Sequence, residues 1–296
     1  MKLYIIIAIF AYLAFAVNGV IDKFLLKKAI PDSSTYAFYI GVLSASALFL
    51  FPFGFAIPSF TILVVALISG MCFVYALIGF YESLKRHDTS IVLPTIGAIV
   101  PLVTLGLSYA LTGERLANKE IIGMALLILG MAFISSHSQE EKKHGHWLPY
   151  AILASLLFAV SFTLAKVVYL QVSFVSGLIW TRLGLVLAAG TILLHAPSRS
   201  RIFKTTTVVP RSSGVLFFTG QILAAGGGIM QNYAVSLGSV TIVNALQGTQ
   251  FAFLFLLTWF LARFRPAILR EDFSAKAMVK KILALVLIGA GLLLLK

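Results

Sequence analysis

The sequence predicts an all-α, polytopic integral membrane protein with ten transmembrane helices, arranged as two inverted five-helix repeats. Three observations lead to this fold class: the composition, the length of the apolar segments and a hydrophobic phrase that occurs twice. Hydrophobic residues make up 60% of the 296 residues and charged residues only 11%, with a mean hydropathy of +1.00. A soluble domain of this composition would lack the polar groups needed to cover its surface.

The apolar residues form blocks of about 18–24 residues, each long enough to cross a hydrocarbon core of about 30 Å as a helix. Backbone groups inside lipid must be hydrogen-bonded locally, and the alternating pattern of a transmembrane barrel is absent, so helices are predicted. Read between charged and Pro-, Gly- or Ser-containing segments, the predicted spans are 3–22, 33–56, 60–82, 89–111, 118–136, 147–169, 173–195, 212–235, 240–262 and 277–295.

The distribution of basic residues predicts the orientation of these spans. Of the 23 lysine and arginine residues, 17 fall in the odd-numbered loops. The positive-inside rule therefore predicts cytoplasmic odd loops and both termini outside. Because the basic residues lie in loops and set the orientation, the formal net charge of +13 does not indicate binding to nucleic acid, and no such partner is predicted. Cys72 is the single cysteine and allows no disulfide or zinc framework, and residues 1–17 are interpreted as part of a retained first span.

The phrase "FAVNGVIDKF" (Phe15–Phe24) is repeated as "FAVSFTLAKV" (Phe158–Val167). An offset of 143 residues aligns Lys23 with Lys166. Three pairs of glycines also take matching places in the later spans of the two halves, the second and third pairs at larger offsets. The repeats are predicted to be residues 1–142 and 143–296. Because five spans return the chain to the opposite side, the second repeat is inverted, which predicts a substrate site near the midplane at the repeat interface. The glycine pairs are Gly41 with Gly184, Gly97 with Gly248, and Gly130 with Gly291.

The fourth and fifth spans, "SIVLPTIGAIVPLVTLGLSYALTGERLANKEIIGMALLILG" (Ser90–Gly130), resemble the drug/metabolite transporter superfamily, EamA type. The resemblance extends over essentially the whole chain. It implies secondary transport of small metabolites, often the export of amino acids, without a cofactor. The second half departs from the family pattern, because Phe264-Arg265 stands where the first half has Gly113-Glu114.

Arg182 is the strongest candidate for binding substrate. It lies near the middle of the seventh span, where an arginine costs about 2.5–3.5 kcal/mol and should face protein or a wet cavity. Its forked donors match a carboxylate or another anion. The alternative is a structural arginine that bonds to helix-end carbonyls. Lys166 also has two interpretations, as a substrate ligand or as a lysine whose ammonium group reaches the membrane interface.

Spans 8 and 9 carry most of the intramembrane carboxamides. Asn244 and Gln247 share one helix face, and a carboxamide can replace part of the hydration shell of a zwitterion or a sugar. The alternative is that such groups hold helices together. The predicted substrate-binding residues of the chain are Arg182, Asn244, Gln247, Tyr233, Asn232, Lys166, Asn18 and Trp180.

Pro94, Pro101 and Gly227 are the predicted gating or hinge residues, with a packing seam as the alternative. All carboxylates fall near span ends, so the intramembrane acid of a simple proton relay is absent. The histidines between residues 135 and 147 are interpreted as part of a solvated loop, and no metal site is predicted there.

The residues and the resemblance together predict a transporter in the bacterial inner or plasma membrane, not an enzyme. It would export a small polar or anionic metabolite, such as an amino acid, by alternating access, as a monomer or a homodimer. The alternative is a flippase or a transporter of lipid-linked, phosphorylated or nucleotide-linked sugars. A membrane enzyme would need paired acids, a histidine cluster or a nucleophile with its base near one interface, and the sequence offers none of these.

Overall fold

The computed structural model describes residues 2–26, 32–87, 89–135, 146–205, 211–264 and 275–296. These residues form helices and connections, with no strand among them. The predicted boundary between residues 142 and 143 lies outside them, as do His137, His144 and most of the histidine-containing loop. The helices are α1 Leu3–Leu26, α2 Ser33–Leu43, a 3-10 helix Ser44–Phe53, α3 Phe60–Arg86, α4 Thr89–Thr112, α5 Asn118–Ser135, α6 Leu148–Gln171, α7 Phe174–Leu194, α8 Ala196–Thr205, α9 Arg211–Leu237, α10 Val240–Ala245, α11 Gln247–Phe264 and α12 Ala275–Leu294.

Seven helical segments in the described residues are long and apolar enough to cross a membrane. Two of them combine consecutive helices: Ser33–Phe53 joins α2 to the 3-10 helix, and Val240–Phe260 joins α10 to α11. The all-α, multi-pass membrane class is therefore confirmed. The remaining segments are Leu3–Ile21, Phe60–Arg86, Ile91–Thr112, Leu148–Gln171 and Phe174–Leu194.

Three more long helices, α5, α9 and α12, pack into the same bundle. Helix α9 lies along α1, and α5 lies along α12. Helix α3 packs against α6 and α7, and α4 packs against α6 and α10. The short helix α8 packs on α2 and α7 and leaves Phe203 exposed.

Side-chain caps begin several of these helices where the apolar pattern starts. The Asp32 carboxylate accepts a hydrogen bond from Thr35 N at 2.9 Å, and Ser239 Oγ accepts one from Ile242 N at 3.0 Å. Such caps satisfy the first N–H groups, which have no partner inside the helix. Gly113 follows the end of α4 with a φ of 70°, a conformation that favours glycine.

Contacts between loops define one end of the bundle, here named the terminal end. Lys2 Nζ forms an ion pair with Glu120 at 2.8 Å, and Ser239 Oγ donates a hydrogen bond to Glu114. Tyr4 packs directly on Gly238, and Leu295 packs on Gly123. The start of α1 and the end of α12 therefore lie together with the α4–α5 and α9–α10 connections.

The opposite end, here named the basic end, joins α2, α3, α6 and α8. Asp32 forms an ion pair with Arg201 at 3.3 Å, and Ser33 Oγ donates a hydrogen bond to Glu82. Arg86 extends from the last turn of α3 to Tyr150 of α6. Both ends are therefore held by polar contacts, while the apolar core lies between them.

Candidate functional site

Polar side chains gather inside the bundle nearer to its terminal end, where α1, α4, α6, α7, α9 and α10 meet. With a rise of 1.5 Å per residue, they lie about 2–14 Å along their helices from that end. Buried polar groups inside a membrane bundle are hydrogen-bonded to each other or serve a function. The buried members are Tyr12, Thr104, Ser108, Tyr169, Gln231, Thr241 and Asn244, and the partly buried members are Arg182 and Asn232.

Arg182 lies about 12 Å from the start of α7 and is partly buried. Its Nη2 atom is 3.3 Å from the position that a Cβ on Gly228 would occupy, so the guanidinium fits against the bare backbone of α9. None of the ion pairs of the described residues includes Arg182. Among the described residues, the phenol of Tyr169 is the titratable side chain that interacts with it electrostatically.

Asn232 and Tyr169 complete the surroundings of this guanidinium. Tyr169 Oη donates a hydrogen bond to Asn232 Oδ1 at 2.9 Å, and Asn232 Nδ2 donates to Gly228 O at 2.8 Å. Both hydrogen bonds fix the orientation of the Asn232 amide. Arg182, Tyr169, Gly228 and Asn232 are here named the arginine cluster, and they come from three helices of the second half.

A second group of hydrogen bonds joins α1, α9 and α10. Tyr12 Oη donates to Val243 O at 2.9 Å and accepts from Gln231 Nε2 at 3.2 Å. Tyr12 is 2% exposed, so this bonding occurs without bulk water. Since Gln231 precedes Asn232 on α9, the first helix of the chain is connected to the arginine cluster through that helix.

Asn244 is the most deeply buried of the predicted binding residues, with 1% of its surface exposed. Its Nδ2 donates to Thr104 Oγ1 at 3.2 Å, while its Oδ1 has no hydrogen-bond partner in the part of the chain that the structure describes. One helical turn away, the hydroxyls of Ser108 and Thr241 lie 3.0 Å apart. The Asn244 carbonyl is therefore a buried acceptor without a donor, which costs about 1–3 kcal/mol if it stays so.

The ninth predicted span is interrupted beside Asn244. Helix α10 ends at Ala245, Leu246 forms a turn and α11 begins at Gln247. A Cβ on Gly248 would lie 3.0 Å from the Leu127 backbone oxygen, so this glycine allows close packing on α5. Gln247 is partly buried, with its Cδ 3.6 Å from the Cβ position of Gly97 on α4. A broken helix with carboxamides at the break is a common site for polar substrates in transporters.

Lys166 has a structural set of partners. Its ammonium group donates to the backbone oxygens of Val235 at 2.9 Å, Ser236 at 3.3 Å and Gly238 at 2.8 Å. These carbonyls lie at the end of α9, where a cation is favoured by the helix dipole. Lys23, its repeat partner, has a side chain outside the described part of the structure.

Trp180, Tyr233 and Asn18 have contacts of their own. Trp180 Nε1 donates to Ala56 O at 3.0 Å, so the indole is bound to the segment after the 3-10 helix. Tyr233 is 40% exposed, with its ring 5.0 Å from that of Phe174. Asn18 is buried against α9, where a Cβ on Gly220 would lie 2.6 Å from its Oδ1.

The three predicted hinge residues are packed positions. Pro94 and Pro101 are buried inside α4, which continues through both of them. A Cβ on Gly227 would lie 3.0 Å from the Phe15 ring and 3.1 Å from Ala11 O, so this glycine lets α1 approach α9. Close packing does not exclude a hinge, and their gating role stays a prediction.

Sequence reasoning missed Tyr12, Tyr169 and Thr104. Tyr169 and Thr104 bond to the predicted residues Asn232 and Asn244, and Tyr12 bonds to Gln231, the neighbour of Asn232. Tyrosines in apolar spans are commonly attributed to the interfacial belt. Tyr12 falls in the middle of α1, far from either interface, and that position was the available signal. No group of histidine, cysteine and carboxylate side chains suited to a metal ion occurs in the described residues.

Comparisons with known proteins agree with this architecture. Residues 2–136 match the model of the EamA-like transporter family. No curated protein is similar enough to match, whereas 26 chains of solved structures do match. One of them, a crystal structure of a protein, is similar over 98% of this chain and 98% of its own, with a TM-score of 0.68 and 18% identity. At that identity the likeness shows the fold alone.

The family match includes the proline-bearing fourth span and the fifth span, on which the resemblance in the sequence rested. The likeness in fold to the solved structure covers the second half of the chain as well as the first. The family consists of membrane transporters of the drug/metabolite type. The first half of the chain, residues 2–136, is therefore similar to the EamA-like transporter family.

Proposed function

We propose that this protein exports a small polar or anionic metabolite, such as an amino acid, by alternating access, and that Arg182 binds the substrate's carboxylate. One observation carries the proposal: the Arg182 guanidinium lies within the bundle against bare backbone, and no carboxylate of the described residues pairs with it. A cation inside a membrane protein needs a counter-charge or water. A substrate carboxylate matches its planar fork of donors with two parallel hydrogen bonds.

Asn244 supports a polar substrate rather than an anion alone. Its buried Oδ1 accepts no hydrogen bond among the described residues, so a donor on the substrate would satisfy it. An ammonium or hydroxyl group has such donors. The arginine cluster would then recognise the acid group, and the interrupted span the donor group.

We also propose that ten spans cross the membrane. The seven apolar segments are joined in the bundle by α5, α9 and α12, whose lengths are 18, 27 and 20 residues. A helix of 18 residues is about 27 Å long, close to the thickness of a hydrocarbon core. Helix α8 has 10 residues and is too short to span.

The helix packing supports an inverted repeat. The pair α1–α9 corresponds to the pair α6–α3, and both pairs are in close contact. The contact between the fifth and tenth spans is symmetric under the repeat, which aligns Gly123 with Ala284 and Gly130 with Gly291. Gly123 packs on the Gly291 backbone, and Gly130 packs on the Ala284 backbone. A two-fold axis in the membrane plane would relate these contacts.

The orientation is proposed from charge. Lys85, Arg86 and Arg201 lie at the basic end, whereas both ends of the chain lie at the opposite one. The positive-inside rule makes the basic end cytoplasmic and the termini external. The polar site would then lie nearer to the external face.

The test is thermal unfolding of the purified protein in detergent with amino acids, organic acids and sugars at millimolar concentrations. A ligand that binds only the folded protein raises its unfolding temperature by mass action. We expect carboxylate-bearing compounds to raise it in the wild type and in Arg115→Ala, but not in Arg182→Ala. Arg115 is a matched arginine at the terminal end, 5.8 Å from the Tyr109 ring centre.

The contrary result is equally clear. A carboxylate compound that stabilises Arg182→Ala as much as the wild type would assign Arg182 a structural role. Transport is tested separately by counterflow of the labelled compound into liposomes. A compound that stabilises the protein but shows no counterflow would contradict the transport proposal.

A further inference from the structure

An apolar groove of about 540 Å³ lies along the surface between α3 and α6, separate from the polar site. It opens outwards, since Leu153 and Ile68 on its walls are exposed. The groove is deep because Gly79 has no side chain at the point where α3 approaches Tyr150 O of α6. The lining includes Met71, Cys72, Ile78, Gly79, Leu153 and Leu157.

The groove has the length of one lipid chain. Its lining on α3 extends from Ile68 to Glu82, which is about 21 Å along a helix. One leaflet of the hydrocarbon core is about 15 Å deep. An acyl chain that ran along the groove would therefore reach from the middle of the membrane to the level of the headgroups at the basic end.

The groove ends in a charged head at the basic end. Glu82 and Tyr150 line its last part. The Arg86 guanidinium lies 4.4 Å from the centre of the Tyr150 ring, and its Nη2 donates to Tyr150 Oη at 3.4 Å. Lys85 precedes it on the last turn of α3, with its Nζ 3.2 Å from Glu82.

The outward charge of this head is positive. The Glu82 carboxylate is already bonded by Ser33 Oγ, Lys85 and Arg86 and is 25% exposed, and Asp32 is 13% exposed. The cationic side chains extend further outwards, with exposures of 37% for Lys85 and 39% for Arg86. The head therefore presents ammonium and guanidinium donors to an approaching group, while its carboxylates point inwards.

We infer that this groove binds an anionic phospholipid, with an acyl chain between α3 and α6 and its phosphate at Arg86 and Lys85. Arginine and lysine at the headgroup level bind lipid phosphates, and basic pockets between transmembrane helices select anionic lipids. The apolar walls account for the chain, and the exposed cations account for the headgroup. This inference does not depend on the transported substrate.

Cys72 supplies the probe, because it is the one cysteine of the chain and lines the groove. The rate of its reaction with N-ethylmaleimide is measured on the full-length protein in detergent, with added dioleoyl-phosphatidylglycerol or dioleoyl-phosphatidylcholine. We expect phosphatidylglycerol to slow the reaction about fivefold at a concentration where phosphatidylcholine slows it less than about twofold. Equal slowing by the two lipids overturns the inference.

Matched variants separate the headgroup from the acyl chain. Arg86→Gln with Lys85→Gln should abolish the difference between the lipids, whereas Arg115→Gln, at the opposite end of the bundle, should keep it. A difference that persists in the double variant overturns the assignment of the phosphate. Arg86→Lys keeps the charge and provides a further variant if the double variant does not fold, and it should retain the preference. Native mass spectrometry provides the second measurement: bound phosphatidylglycerol should fall in the double variant alone.

Discussion

The ammonium group of Lys166 lies 2.8 Å from the carbonyl oxygen of Gly238 and 2.9 Å from that of Val235. Helix α6 thereby holds the end of α9 at the point where the chain turns into α10. The same turn is held from the other side by Glu114, which accepts a hydrogen bond from Ser239. The connection between the eighth and ninth predicted spans is thus fixed by residues from both halves of the chain.

Replacing Lys166 with methionine should therefore lower stability. The change keeps an unbranched side chain as far as Cε but removes the ammonium group, and this leaves helix-end carbonyls without their donor, which costs about 1–3 kcal/mol. Thermal unfolding in detergent measures this loss, and Lys166→Arg, which keeps the donors, should recover most of it. A methionine variant with wild-type stability but no response to ligand would contradict the capping role and make Lys166 a substrate residue.

The contact between α5 and α12 depends on Gly291. A Cβ at this position would lie 2.8 Å from Gly123 O, whereas one on Gly289 would meet nothing within 4 Å. Gly291→Ala should lower the unfolding temperature clearly, because the two backbones must separate, with a cost of about 1–3 kcal/mol. Gly289→Ala is the matched control and should have almost no effect. Equal effects of the two substitutions would show that this close approach does not hold the helices together.

A substitution at Asn244 distinguishes a role in substrate binding from a role in helix association. Substitution by leucine removes a buried carbonyl that lacks a donor together with one hydrogen bond to Thr104. Interhelical hydrogen bonds in membranes average about 0.6 kcal/mol, whereas an unsatisfied buried carbonyl costs about 1–3 kcal/mol, so the gain should at least offset the loss. We expect Asn244→Leu to unfold near the wild-type temperature but to lose the response to ligand. A loss of stability above about 2 kcal/mol would instead indicate a structural amide.

The all-α, multi-pass membrane class and the similarity of the first half to the EamA-like family could be predicted from the sequence, because hydrophobic length and motif spacing are local properties. The roles of single residues could not. Lys166 and Arg182 are both cations in apolar spans, and only their partners differ: three carbonyls for Lys166, and bare backbone at Gly228 for Arg182. Trp180 shows the same limitation, since its partner Ala56 lies 124 residues away in the chain.

The contact between Arg182 and Gly228 provides the last prediction. A Cβ on Gly228 would lie 3.3 Å from Arg182 Nη2, so the branched side chain of valine at this position would push the guanidinium away from the α9 backbone and out of its binding position. Gly226, on the same helix, has nothing within 4 Å of its Cβ position. Gly228→Val should therefore abolish the thermal response to carboxylate ligands, while Gly226→Val keeps it. The measurement is the ligand-induced shift of the unfolding temperature for both variants, together with the unfolding temperature without ligand. Because valine costs a helix no more than glycine, both variants should fold. An unchanged ligand response in Gly228→Val would show that ligand binding does not depend on the position that the Arg182 guanidinium takes against Gly228.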